Sequence, residues 1–347
     1  MHILYITPHN PFIKTPETGF AEEIRNRGHE VTFSFGLTPE ILKGKYDIVF
    51  GAMEYSMSIA KWIGRKLNIP VYTHMEWIPP WRVGLENPRD WGYERPDQLD
   101  NVKASMNQWI ETYVNQMMDW EDATVRSTCG NTLIYTLVPF STKPIDATIK
   151  YYAADLKKLE KYRDDSIEEK YQIMSTARLV PHKRIIHIVR ALAKIKNAPK
   201  YVVIGYGEEL RHIKAEAEKL GVNIEFRGSG QEGIKERTIQ ESMFSINIWA
   251  GIPMAESFYY EKPAITYKEH HIYEVLEDAP LYAERNNIND LAKQIEYFLD
   301  NPKIRRRYGK KAKELMMTNK IGMGTMDKIV DITIKILEDG VKEWNEK

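Results

Sequence analysis

The stretch Gly251-Ile252-Pro253-Met254-Ala255-Glu256 leads into Ser257-Phe258-Tyr259-Tyr260, and the turn Glu261-Lys262-Pro263 opens onto Ala264-Ile265-Thr266-Tyr267. Glycine and proline stand just before a short helical run, and the residues behind it read as a strand. A proline near a helix start costs little, because the N–H it lacks would be unpaired there anyway. The free N–H groups and dipole of such a helix attract phosphate. Glu256, one turn in, is placed to accept hydrogen bonds from hydroxyls such as those of a ribose. The ordinary alternative is a strand–loop–helix turn with a capping acid. Taken alone, this stretch leaves the two readings level, and its partners shift the balance.

Outward from it, strands are expected at Gln172–Ala177, Tyr201–Gly205, Asn223–Arg227, Phe244–Trp249, Pro263–Tyr267 and Leu281–Tyr282. Helical patterns lie between them at Ile185–Lys196, Glu208–Leu220, Glu232–Glu241 and Tyr273–Glu277. This alternation is the mark of a parallel, doubly wound sheet, whose ligands bind at the carboxyl ends of its strands. The first loop, Ala177-Arg178-Leu179-Val180-Pro181-His182-Lys183-Arg184, puts two cations around a proline turn at such an end. Arginine grips phosphate with parallel hydrogen bonds and lysine adds a point charge. A solvated basic loop is the plain alternative; the position beside the Gly251 stretch favours an anion site. Gly205-Tyr206-Gly207 is a weak signal that a tight turn explains equally well. Arg227-Gly228-Ser229-Gly230 would let a flat base lie against backbone.

The first half repeats the alternation. Strands are expected at His2–Thr7, Glu30–Phe35, Tyr46–Phe50, Pro70–His74, Ala123–Ser127 and Ala147–Tyr152, with helices at Glu17–Arg27 and Tyr55–Leu67. Gly19 sits in the first strand–helix connection, where a glycine lets backbone approach a phosphate or simply begins a helix. His74 ends the fourth strand, a position suited to acid–base chemistry or to a sugar hydroxyl. The Glu76–Asp97 segment, rich in Pro, Gly and Trp, reads as a long ordered loop, and Trp77, Trp81 and Trp91 offer flat faces for a sugar ring or an apolar tail. The charged run Leu156–Lys170 is the best domain boundary. Helices are expected at Asn289–Leu299, Pro302–Met317 and near Met326–Trp344, the last with a buried face of Ile329, Ile332 and Ile336.

Lys and Arg number 49 and Asp and Glu 49, which argues against general nucleic-acid binding. A single cysteine, Cys129, excludes a disulfide framework or a cysteine-based zinc site within the chain. The apolar N-terminus is too short for a signal peptide or a span, so a cytoplasmic protein is expected, with a membrane-surface location as an added option.

Four segments together resemble the retaining GT-B glycosyltransferases of family 4 (glycosyl transferases group 1). They are Arg25-Asn26-Arg27-Gly28-His29-Glu30-Val31, Ala177 through Lys183, Val203-Ile204-Gly205-Tyr206-Gly207-Glu208-Glu209-Leu210, and Gly251 through Glu256 with Lys262-Pro263. The resemblance implies two Rossmann-like domains facing across a cleft. Residues 1–160 would take the acceptor, 161–322 the donor, and 323–347 would form a helix crossing back to the first domain. By it, Arg178 and Lys183 hold the donor pyrophosphate and Glu256 the ribose. Backbone near Arg227 and Gly228 touches the base, and His74 sits beside the transferred sugar. Gly19, Gly205, Gly251, Ile252, Pro253 and Met254 complete the donor site, while Trp77, Trp81 and Trp91 serve the acceptor. The implied reaction moves a hexose from a UDP- or GDP-sugar to a carbohydrate, lipid-linked or protein acceptor, with neither cofactor nor metal. The sequence departs from the family pattern in three places. Alanine replaces the first glycine of G-R-L-x-x-x-K, Thr18-Gly19 replaces a glycine pair, and Ile248 stands where a glutamate precedes Glu256 by eight positions. That last departure keeps open a nucleotide-sugar binder without transferase activity, and a nucleotide-sugar epimerase of the same architecture is a second alternative. A membrane-surface scaffold using the tryptophan loop is a rival of another class.

Overall fold

The computed structural model describes residues 1–7, 16–35, 37–52, 54–75, 125–129, 147–149, 152–228, 233–248, 251–268, 276–318 and 323–346. The described residues fall into two units. One holds the chain up to Met75, two later strands and the last helix; the other runs from Tyr152 to Thr325.

In the first unit, β1 (His2–Ile6), β2 (Glu30–Ser34), β3 (Ile48–Ala52), β4 (Val71–Met75), β5 (Val125–Cys129) and β6 (Ala147–Ile149) form one sheet in the order β2-β1-β3-β4-β5-β6. Every pair is parallel. Residues of β3 are buried throughout, as a strand covered on both faces requires. On one side, Leu4, Ile6 and Val49 meet Ala60 and Ile63 of α2 (Glu54–Leu67). Tyr5 and Phe50 stack at 4.6 Å, with Phe20 of α1 (Pro16–Asn26) 6.3 Å from Phe50. The last helix, Met326–Asn345, is tied to α1 by Arg27, which reaches Glu23 at 3.0 Å, Asp327 at 3.1 Å and Asp331 at 2.5 Å.

The second unit opens on β7 (Tyr152–Ala154) and α3 (Leu156–Lys161). Its sheet comprises β8 (Gln172–Thr176), β9 (Lys200–Ile204), β10 (Ile224–Phe226), β11 (Ser245–Ile246), β12 (Ala264–Tyr267) and β13 (Leu281–Ala283). The order is β10-β9-β8-β11-β12-β13, again wholly parallel. The sheet is covered by α4 (Ile185–Leu192), α5 (Leu210–Leu220), α6 (Ile234–Glu241), α7 (Ile252–Tyr259), α8 (Ile288–Asp300) and α9 (Pro302–Met317). Strand β11 has only two residues, and side chains extend its pairing. Ser175 Oγ donates to the Ile246 carbonyl at 2.5 Å, and Thr266 Oγ1 donates to that of Ile248 at 3.1 Å.

Several expectations change. The strand expected over Ala147–Tyr152 is two strands in different sheets: β6 joins the first sheet, whereas β7 pairs with a further short strand, β14 (Met323–Thr325). The charged run after it belongs to the second unit. Asp155 caps α3 by accepting from the Lys158 N–H, and Leu159 is buried against α7. Helix α4 stops at Leu192, short of Lys196. The expected Tyr273–Glu277 helix lies largely outside the described residues.

Candidate functional site

The second sheet reverses its winding between β8 and β11. From β8 the chain moves outward through β9 and β10, then returns to the other side of β8. Ligands of doubly wound sheets bind at that switch point, beyond the carboxyl ends of the two strands. The two connections that leave those ends are the basic loop after β8 and the segment containing Gly251 after β11.

The basic loop is held by its neighbour. Ala177 N–H donates to the Ile204 carbonyl at 3.0 Å, Leu179 N–H to Tyr206 at 2.9 Å, and Glu209 N–H to Leu179 at 3.0 Å. Leu179 is fully buried, and Arg178 between these two anchors is exposed. This close approach explains the glycines of Gly205-Tyr206-Gly207. A Cβ on Gly205 would stand 1.8 Å from the Ala177 carbonyl oxygen, at a φ of +147°, and one on Gly207 would meet Leu179 O at 2.3 Å. The contact shown for Gly205 is therefore with the cationic loop, which it helps to place.

A single turn, Pro181–Lys183, follows, and Arg184 joins it to α4 with φ 48°. Three cations and a histidine are gathered in this short stretch. Burial and the neighbouring guanidinium groups of Arg178 and Arg184 bring the Lys183 ammonium down to about 7. The His182 imidazole, buried beside the same three cations, is pushed well below its ordinary range and is neutral at pH 7. Arg184 is almost wholly buried, its guanidinium 5.8 Å from the centre of the Tyr267 ring, whose hydroxyl lies 3.0 Å from His187 Nδ1.

After β11, Gly251 has extended backbone and begins α7; the Met254 and Ala255 N–H groups donate to its carbonyl at 3.0 and 3.3 Å. Pro253 occupies the first turn, and Ile252 is half-buried. Met254 is fully buried against Leu159, Phe258 and Ala312, a core position. Glu256 is buried, with Lys235 Nζ 2.5 Å from its Oε1. Burial raises the Glu256 carboxyl above its ordinary range, while Lys235 and Lys158 oppose the shift. Lys262 is engaged elsewhere: it reaches Glu169 at 3.1 Å, and Glu169 also holds buried Arg305 at 2.5 Å.

The structure thus joins Arg178 to Lys183 in one electrostatic group and Glu256 to Lys235 in another, on the two connections of one switch point. The Arg227 side chain pairs with Glu225 and Thr238, both at 2.6 Å, and its N–H donates to Val203 O at 2.9 Å. Gly228 is exposed at φ 62°, and its carbonyl accepts from the Gly205 N–H. Gly19 lies within α1, with open space where a Cβ would stand. His74 is the penultimate residue of β4, in register with Ala52 and Thr128. Trp77, Trp81 and Trp91 lie outside the described residues. Ile248 is buried in the main core cluster of this unit. Sequence reasoning missed Arg184 and Lys235. The first had a signal, a third cation directly after Lys183; the second had none, being 21 positions from Glu256. Among the described residues, no helix is long and apolar enough to cross a membrane, and no cluster of three His, Cys, Asp or Glu is arranged to hold a metal ion.

The glycosyl transferases group 1 family matches residues 158–315, which span most of the second unit. Comparison with curated proteins gives no match. Among solved structures, the Anabaena protein Alr3699/HepE in complex with UDP is similar over 98% of this chain and 100% of its own, at 13% identity and a TM-score of 0.68. Sucrose-phosphate synthase from Thermosynechococcus elongatus is similar over 97% and 98%, at 12% identity and 0.68. A glycosyltransferase from Rickettsia africae is similar over 98% of both chains, at 14% identity and 0.59. The fold is the two-domain, Rossmann-like GT-B architecture.

Proposed function

We propose that this protein transfers a hexose from a nucleotide sugar to an acceptor, with retention at the anomeric carbon. The basic loop Ala177–Arg184 at the sheet's switch point carries this reading, supported by the family match over the same unit and by the UDP bound to the Anabaena protein. Charge develops on the departing diphosphate as the anomeric C–O bond breaks, and fixed cations there lower the barrier. Arg178 and Lys183 take that role. Glu256 accepts from the ribose hydroxyls, Gly251, Ile252 and Pro253 present the α7 terminus to phosphate, and Arg227 and Gly228 border the base. Gly205 acts through the loop it lets approach.

The acceptor hydroxyl attacks the anomeric carbon on the face from which the diphosphate leaves, and its proton passes to a departing phosphate oxygen. His74 and the tryptophans Trp77, Trp81 and Trp91 belong to the acceptor side, which takes a carbohydrate, lipid-linked or protein hydroxyl. Two cations on the leaving group make a divalent ion unnecessary in this reading, so chelation should leave transfer unchanged.

A thermal-shift screen over UDP, GDP, ADP and their sugars tests donor binding, since a ligand of the folded state alone raises the melting point. Product analysis with labelled donor, with and without acceptors, tests the chemistry. Conversion of free donor without an acceptor would instead identify an epimerase. The buried place of Ile248 favours one second reading, a nucleotide-sugar binder without turnover. Nucleotide binding without transfer to any acceptor in a broad screen would select it.

A further inference from the structure

Glu256 ends a row of alternating charges that runs across three helices. Lys158 of α3 lies 3.3 Å from Glu236 of α6, Lys235 lies 3.8 Å from the same carboxylate, and Lys235 reaches Glu256 Oε1 of α7 at 2.5 Å. Both acids are buried, Glu236 to 1% exposure and Glu256 to 6%. Glu236 Oε1 and Glu256 Oε2 are both buried without a hydrogen-bond partner among the described residues. Glu236 Oε1 still lies 3.3 and 3.8 Å from the ammonium groups of Lys158 and Lys235, whereas Lys235 meets Glu256 through its other oxygen, Oε1. A buried carboxylate oxygen without a donor costs free energy, and the cost is recovered when a donor arrives. Helix α7 follows β11 at the switch point, where ligands of doubly wound sheets bind.

We propose that Lys235 is a positioning residue for nucleotide recognition: it engages Glu256 through Oε1 and leaves Oε2 as the acceptor for a ribose hydroxyl. This inference rests on the nucleotide reading above. Lys235 does two things. It fixes the carboxylate plane, so that the second oxygen is presented in one orientation. It also opposes the protonation that burial and the neighbouring Glu236 favour. The other titratable groups facing this cluster are Lys158, which opposes protonation of Glu256, and Tyr260 and Glu160 at its edge; burial, then Glu236 and Glu256, hold the Tyr260 phenol protonated. Without Lys235, two buried carboxylates stand near one another and Glu256 takes up a proton.

The test measures affinity by calorimetry for UDP, GDP and ADP and for their 2′-deoxy counterparts, using the full chain and the variants Lys235→Met and Lys235→Arg. The wild type should prefer the ribonucleotide by about tenfold or more, the worth of a hydrogen bond to a charged group. Lys235→Met should lose most of that preference at pH 7 and regain it as rising pH ionises Glu256. Dividing the variant's affinity by the wild type's at each pH cancels the separate titration of Lys183. Lys235→Arg should keep the preference. If Lys235→Met fails to fold, Lys235→Gln carries the same readout. A Lys235→Met protein with the wild-type ribose preference and pH profile would overturn this inference and leave the nucleotide reading standing. Failure of all three nucleotides to bind the wild type would overturn both.

Discussion

The two connections of the second sheet's switch point solve opposite electrostatic problems. After β8, Arg178, Lys183 and Arg184 are held within reach of one another, so that Lys183 loses its proton near neutrality. After β11, Glu256 belongs to a row in which each buried acid meets a lysine. The first arrangement gathers positive charge. The second pairs acid with base and leaves Glu256 Oε2 without a donor among the described residues. In the proposed reading, a ligand carrying a diphosphate at one end and hydroxyls beside it suits both.

The largest effect should come from breaking the cationic side. Arg178→Ala and Lys183→Ala should each lower transfer by about a hundredfold or more while leaving circular dichroism unchanged. Full activity in both variants would refute the role. Lys183→Ala should not lower the melting temperature at pH 6, because it removes a charge that the folded state holds at a cost.

Next comes the support beneath that side. Gly205→Ala should destabilise by about 2 kcal/mol or more, since its Cβ would strike the Ala177 carbonyl at a φ where side chains are rare. Denaturant titration measures the loss. A stable variant that binds nucleotide normally would show that the loop does not depend on this approach.

The pH dependence separates the two sides. Bound diphosphate keeps Lys183 protonated, whereas the free group titrates at about 7. Affinity should therefore be full below pH 7 and fall by up to about tenfold per unit above it, with proton uptake on binding at pH 8. Calorimetry in buffers of different ionisation enthalpy reads that uptake, and Lys183→Met should abolish it. For stability the sign is reversed. A lysine whose folded value lies below its unfolded one destabilises the fold when charged, so stability rises from about pH 7 toward the range of a free lysine. The smallest effect is a control in the other unit. Arg27→Ala removes two partly exposed ion pairs to the last helix and one to Glu23 of α1, should cost about 1 kcal/mol or less, and should leave nucleotide affinity untouched.

Much of the fold was legible because long elements carry their own pattern. Helix α9 has the bounds its periodicity predicts, and the strand–loop–helix alternation of both halves places most strands within a residue or two. Strands β7 and β14 escaped notice because each has three residues and they meet from opposite ends of the second unit; nothing local distinguishes them from loop. Within the candidate site, the loop Arg178–Lys183 could be read because a strand end and a proline turn fix where it must lie. The partner of Glu256 could not, because it comes from another helix.

The sequence by itself determined the parallel, doubly wound class, the basic loop and the glycine–proline start of α7, since alternation, turn chemistry and charge are properties of neighbours along the chain. Only the tertiary structure decided that the second sheet winds in the order that puts those two segments at one switch point. It alone showed that Gly205 exists to admit the loop, and that Lys235 claims one oxygen of Glu256. These are matters of distance between residues far apart in sequence. They are set by how helices cover a sheet, and local propensity carries no record of them.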